Sequence, residues 1–380
     1  MVLGQGALDA VAKRGRVAAV ADHKPQTTNH KQAMNIFVTG HNGYIGVHLV
    51  ELLQAAGHTV TGCDLNLFQG CQWEPLPTPH RELLRDVRDL TADDLCGHDA
   101  VCHLAAISND PMGDLDPELT LSVNRDASIH IARIAKKAGV RRFLFSGSCS
   151  VYGKGEKLDL EETDALHPLT AYAKSKIETE AAVSQLADKN FSPAYLRNAT
   201  AYGHSPMLRI DLVVNNLLGS ALSYGEIRIK SDGSPWRPLV HCRDIAHAFV
   251  AFCEAPRDVI HNQAVNIGGN EENYQVKDVG DMVGQLIPNA TVAYTGEVGE
   301  DPRNYRVNFA KLGQLLPDFK LEYTLISGME ELHRKMVEHG FSQNDFESDQ
   351  FVRLRTLAKR MDTLSKRFDQ RESLSPAAKG

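Results

Sequence analysis

Met34-Asn35-Ile36-Phe37-Val38-Thr39-Gly40-His41-Asn42-Gly43-Tyr44-Ile45-Gly46 is the stretch from which the rest of the chain is read. Ile36, Phe37 and Val38 form a short apolar run, and Ile45, Leu49, Leu52, Leu53 and Ala56 recur at the three-and-four spacing of a helix face. The pattern predicts a strand entering a glycine turn from which a helix leaves. Such a turn directs free backbone N–H groups and the positive end of the helix dipole at one point, a ready seat for a diphosphate. The glycines run Gly40-x-x-Gly43-x-x-Gly46 and not in the commoner Gly-x-Gly-x-x-Gly order.

Working outward, Thr59 to Cys63 predicts a second strand that ends at Asp64, eighteen residues after Gly46. A carboxylate there can accept hydrogen bonds from the adenosine ribose hydroxyls and repel a 2′-phosphate, which favours NAD over NADP. Asp86 and Val87 follow a third short segment and suit the flank of an adenine. Ala100 to Leu104 reads as a buried strand running into Ala105 and Ala106, whose small side chains leave room across the strand end. Asn124 to Ala138 has helical periodicity and Gly139 stops it. Strands alternating with helices predict an α/β fold, a Rossmann-type doubly wound parallel sheet.

Arg142 to Phe145 predicts a further strand, which ends in Ser146-Gly147-Ser148-Cys149-Ser150-Val151-Tyr152-Gly153. Ligands collect at the carboxyl ends of strands in doubly wound sheets, so this hydroxyl cluster is placed for catalysis. Downstream, Tyr172 and Lys176 stand four apart at the start of a helix and share a face. A phenol titrates near pH 10, and a neighbouring ammonium favours its phenolate. Tyr172 is thus a candidate acid/base for a substrate hydroxyl, with Ser148 bonding the same oxygen.

Composition narrows the field. The 380 residues are 42% hydrophobic and 23% charged, with a net charge of -7, so there is no basic footprint of a nucleic-acid binder. The 7 cysteines are odd in number and widely spaced, a pattern of free thiols and not of a disulfide frame or zinc site; no metal is expected. No apolar run approaches the length of a membrane span, and the expected location is cytoplasmic.

These motifs, with Leu196-Arg197-Asn198-Ala199-Thr200-Ala201-Tyr202-Gly203 and Arg237-Pro238-Leu239-Val240-His241, resemble the extended short-chain dehydrogenase/reductases of the nucleotide-sugar epimerase and dehydratase type. The resemblance covers about residues 34 to 335. It implies bound NAD contacted by Gly40, Gly43, Tyr44, Ile45, Gly46, Asp64, Asp86, Val87, Leu104, Ala105, Ala106, Asn124 and Lys176. It implies catalysis by Ser148, Tyr172 and Lys176, a nucleotide-diphosphate sugar as substrate, and a homodimer. Ser108, Ser148, Ser150, Tyr172, Thr200 and Arg237 fall on its substrate side, although Ser108 stands where epimerases often carry Lys and Thr200 where they often carry Asn. Arg209 and Arg303 are further candidates for the sugar-nucleotide diphosphate, which a guanidinium fork fits well.

Dehydratases of this type resemble one another in a Thr-Asp-Glu triplet whose carboxylates move protons for elimination. Cys149 and Ser150 occupy those places here, which disfavours a dehydratase. An NAD-dependent epimerase working through a transient keto sugar is the expectation. A nucleotide-sugar ketoreductase or dehydrogenase stays open, and the retained Tyr172 and Lys176 argue against a non-catalytic NAD-binding protein. The expected organisation is a flexible extension over 1–33 and an NAD-binding domain over 34–200. A smaller, mainly substrate-binding domain over 201–344 returns some segments to the first, and an amphipathic helix and tail packed on the protein occupy 345–380.

Overall fold

The computed structural model describes residues 32–108, 110–153, 157, 159–296 and 304–360. The expected extension over 1–31, Arg303, and the tail beyond residue 360 lie outside the described residues. From Ala33 onward the chain is one contact body.

The alternating pattern becomes a seven-stranded sheet built from β1 (Asn35–Thr39), β2 (Thr59–Asp64), β3 (Arg81–Leu84), β4 (Ala100–His103), β5 (Arg142–Ser148), β6 (Ser192–Asn198) and, much later, β10 (Gln263–Ile267). Between β6 and β10 the chain forms β7 (Thr200–Tyr202), β8 (Glu226–Ile229) and β9 (Trp236–His241); β11 (Asn273–Gln275) and β12 (Thr291–Tyr294) follow β10. Strand order in the large sheet is β10-β6-β5-β4-β1-β2-β3, and every pairing is parallel. The chain winds outward from β1 to β3, then returns to the other side of β1 as β4. That reversal opens a crevice at the carboxyl ends of β1 and β4, the place where ligands gather in open parallel sheets.

Both faces of the sheet are covered, as parallel sheets require. One face buries Ile36, Val38, Leu144 and Leu196 against the helices Gly46–Ala55 and Cys242–Glu254; the other buries Phe37, Phe143 and Tyr195 with the helix Ala127–Lys137. A separate core forms around Leu208, Leu217, Leu239 and Met329 in the second half. There β9 lies between β7 and β11, and β8 pairs with β12.

Two glycines are demanded by this geometry. Gly40 has φ +73°, and a Cβ there would stand 2.7 Å from the Ala105 amide nitrogen. A Cβ on Gly46 would stand 2.1 Å from the Gly40 carbonyl oxygen. Any side chain at either position pushes the turn away from β4.

The crevice is held open by buried polar contacts. His103 at the end of β4 meets the Thr39 hydroxyl at 2.6 Å through Nδ1 and the Ser128 hydroxyl at 2.7 Å through Nε2. Burial, and secondarily the charge of Lys176, push its pKa down to about 3, so the ring is neutral. Asn124 accepts from the Ile107 amide at 2.8 Å and donates to the Ile107 carbonyl at 2.9 Å, which fixes the loop after β4. Ser128→Ala leaves His103 Nε2 without its partner in a dry site. Its urea unfolding free energy is expected to fall by about 1–3 kcal/mol, and an unchanged midpoint would contradict this role.

Candidate active site

The crevice widens into a cleft of about 2010 Å³ that runs from the glycine turn to the second half. Single small-molecule pockets span about 300–1,000 Å³, so this volume suits two ligands side by side. Gly40, Gly43, Tyr44, Ile45 and Gly46 line one end, with Asp64, Asp86 and Val87 along the β2 and β3 side. Leu104, Ala105, Ala106 and Ser108 line the floor beyond β4. Ser148, Ser150, Tyr172, Lys176, Thr200, Arg209 and Arg237 complete the wall. Of the described residues picked from sequence, Asn124 alone does not line the cleft; it is 1% exposed and its amide is bound to Ile107. Its bonds to Ile107 hold the loop that forms the floor.

A dinucleotide fits these residues. The turn supplies amides and no side chains at Gly40, Gly43 and Gly46, and Asp64 closes the adenosine end. The Asp64 carboxylate accepts from the Asn66 amide at 2.8 Å and the Asn42 amide at 3.2 Å, leaving lone pairs for ribose hydroxyls. Burial raises its pKa, and those two amides oppose the rise. Asp86 caps the short turn after β3 and pairs with Arg88 at 2.8 Å, so its carboxylate is already engaged.

The catalytic candidates meet at the end of β5. Thr170 caps the helix Ala171–Ser184, and Arg197 on β6 pairs with Glu180 of that helix at 2.5 Å, which fixes how the helix lies on the sheet. Lys176 is thereby buried, with Nζ 2.8 Å from the Ser146 carbonyl, 4.7 Å from the Phe145 ring centre and 5.5 Å from that of Tyr172. Burial alone brings its pKa from 10.5 to about 7. Ser148 Oγ accepts from the Ser150 amide at 3.2 Å. Two polar atoms on this wall, Ser150 Oγ and Asn198 Oδ1, are buried without a hydrogen-bond partner in the protein, and a hydroxyl-rich ligand could satisfy both.

Cys149 does not share the role. Its thiol is fully buried, donates to the Arg197 carbonyl at 3.1 Å and is pushed up in pKa by burial, so it offers no proton near neutrality. All seven cysteines are free, and among the described residues no cluster of His, Cys, Asp or Glu is arranged to hold a metal and no helix is long and apolar enough to cross a membrane.

With this geometry in place, the chain can be set beside known proteins. A profile of the NAD dependent epimerase/dehydratase family matches residues 36–268, more than half the chain. The chain belongs to that family. NAD is accordingly its cofactor. An uncharacterized UDP-glucose epimerase of Bacillus subtilis (strain 168) is 28% identical over 74% of this chain and 92% of its own. UDP-glucuronic acid decarboxylase 2 of Arabidopsis thaliana is 24% identical over 75% of this chain, which spans 64% of that longer protein. Among solved structures, MoeE5 in complex with UDP-glucuronic acid and NAD has a TM-score of 0.70 and 26% identity, covering 80% of this chain and 99% of that one.

Several cleft residues carry no motif and escaped sequence reading. Arg228 and Ile229 of β8, with Lys230 and Ser231 just after it, line the wall, and Arg353 arrives from the C-terminal segment. Only a three-dimensional neighbour relation distinguishes that arginine from the others in its segment.

Lys176 also sets a pH dependence. In the protein without ligands its buried ammonium is a full cost below pH 7, and the cost fades as pH rises toward the unfolded value of 10.5. Lys176→Met is therefore expected to raise the melting temperature of the ligand-free protein at pH 6 and to lose that advantage near pH 10, while turnover falls at least about a hundredfold. Parallel thermal scans at the two pH values check the sign.

Proposed function

We propose that this protein is an NAD-dependent epimerase acting on a nucleotide-diphosphate sugar, with UDP-sugars the first class to test. The observation that carries the reading is the assembly of Ser148, Tyr172 and buried Lys176 on one wall of a cleft large enough for a dinucleotide and a sugar nucleotide. The relatives' names, a UDP-glucose epimerase and a UDP-glucuronic acid complex, favour a UDP-sugar.

In this reading the cofactor supplies a reversible hydride acceptor. Tyr172 takes the proton of the sugar hydroxyl as the carbon beneath it loses hydride, and gives the proton back when hydride returns to the other face. Lys176, poised by burial near neutrality, exchanges charge with the phenol, and Ser148 hydrogen-bonds the reacting oxygen. Arg237, buried beside the cleft, holds the sugar-nucleotide diphosphate. An elimination lacks a proton carrier, since the buried Cys149 thiol and the Ser150 hydroxyl stand where a dehydratase has carboxylates.

Purified protein incubated with UDP-sugars and no added nucleotide is expected to interconvert two sugar epimers, read by NMR of the products. Tyr172→Phe is expected to lower that rate about 10²–10⁴-fold. Strict dependence on added NADH would overturn the epimerase in favour of a reductase, and unchanged turnover of Tyr172→Phe would remove the proposed acid/base.

A further inference from the structure

The C-terminal segment brings a charge into the cleft. Phe351 is buried in the second core, residues 353–360 are helical, and Leu357 packs with Ile107, Leu119 and Phe68. Arg360 donates to the carbonyls of Leu67 and Gln69, and Gln350 donates to that of Gln72 at 3.1 Å. The segment thus spans the loop after β2, the loop after β4 and the second half.

Arg353 is the residue this strap turns inward. It is 3% exposed and lines the cleft, with its guanidinium 4.9 Å from the Phe68 ring centre. Nη2 reaches the Leu208 carbonyl at 3.5 Å and the Met207 sulfur at 3.9 Å, while Nη1 is buried with no hydrogen-bond partner in the protein. Among the described residues it has no ion-pair partner. A buried guanidinium in that state is costly and calls for an anion.

Its neighbour Arg209 is near enough for the two charges to repel. Arg209 forms a two-point pair with Asp211 at 2.6 and 3.1 Å and donates to Ser108 Oγ at 2.9 Å. Among the described residues Asp211 acts on both guanidiniums, one negative charge against two positive. Arg209 is tied to Ser108 beyond β4, and Tyr44 and Tyr172 line the same cleft. Tyr44 belongs to the glycine turn and Tyr172 to the catalytic wall, so the two arginines share one cleft with both.

We propose that Arg353, together with Arg209, clamps the diphosphate of bound NAD from the side opposite the glycine turn, so that the C-terminal strap retains the cofactor. This rests on the NAD site and not on the epimerase assignment, so it can be tested whichever reaction the protein performs. The competing source of the same oxyanion chemistry is the sugar nucleotide.

The test is release. Protein loaded with NADH is chased with excess NAD, and loss of NADH fluorescence is timed for the wild type, Arg353→Met and Arg353→Lys; affinity for UDP is measured by calorimetry on the NADH-loaded forms. Release is expected to quicken at least tenfold in Arg353→Met and by a smaller factor in Arg353→Lys, which keeps the charge but not the fork, with UDP affinity within threefold of wild type. Should Arg353→Met not fold, the lysine variant decides by the same release rate. Unchanged release overturns the clamp, and unchanged release with weakened UDP binding assigns the anion to the sugar nucleotide instead.

Discussion

Two missing Cβ atoms underlie the dinucleotide half of this protein. The Gly40 backbone lies against Ala105, and the helix beginning at Gly46 starts over the Gly40 carbonyl, at separations that no side chain survives. This close approach brings the carboxyl ends of β1 and β4 together and leaves backbone amides, not side chains, facing the cleft. The contacts of His103 with Thr39 and Ser128 and of Asn124 with Ile107 keep the same spacing from beneath. A wide, preformed crevice follows from backbone packing before any catalytic side chain is considered.

The catalytic wall is assembled by a different means. Arg197 and Glu180 form a buried pair that locks the helix Ala171–Ser184 onto β6, and the helix delivers Lys176 to the Ser146 carbonyl. Arg197 is fully compensated by Glu180, Tyr152 and the Glu162 carbonyl. Lys176 and Arg353 are not, and both sit in the cleft. Uncompensated buried charge diminishes stability, so its concentration on the ligand-facing side separates groups that organise the fold from groups that await a partner.

Much of this was legible in the sequence, because the relevant signals are local. The glycine turn, Asp64 at a strand end, and Tyr172 four residues before Lys176 each depend on neighbours within a turn or two, and all of them line the cleft. The bonds of Asn124 to the Ile107 backbone were not legible, because an amide that bonds a backbone loop and one that bonds a ligand have the same sequence appearance. Arg353 was not legible. Helical periodicity from Phe351 predicted a packed helix, but which residue of it would face the cleft depends on the loop at Leu67 and Phe68, nearly 300 positions earlier. A return of second-half segments to the first domain was expected from the resemblance, but that β10 pairs with β6 was not legible, since that partner is far away in the chain.

That long separation bears on how the protein is made. Contacts between residues 349–360 and the loop after β2 span 278 to 293 positions, so they form only after every strand of the large sheet has been made. The sheet and its glycine turn, by contrast, have most of their strands by β6. During synthesis the strands β1 to β6 are therefore complete before residues 349–360, which span the loop after β2, have been made. A truncation before residue 349 would thus remove this segment without touching a strand of the large sheet.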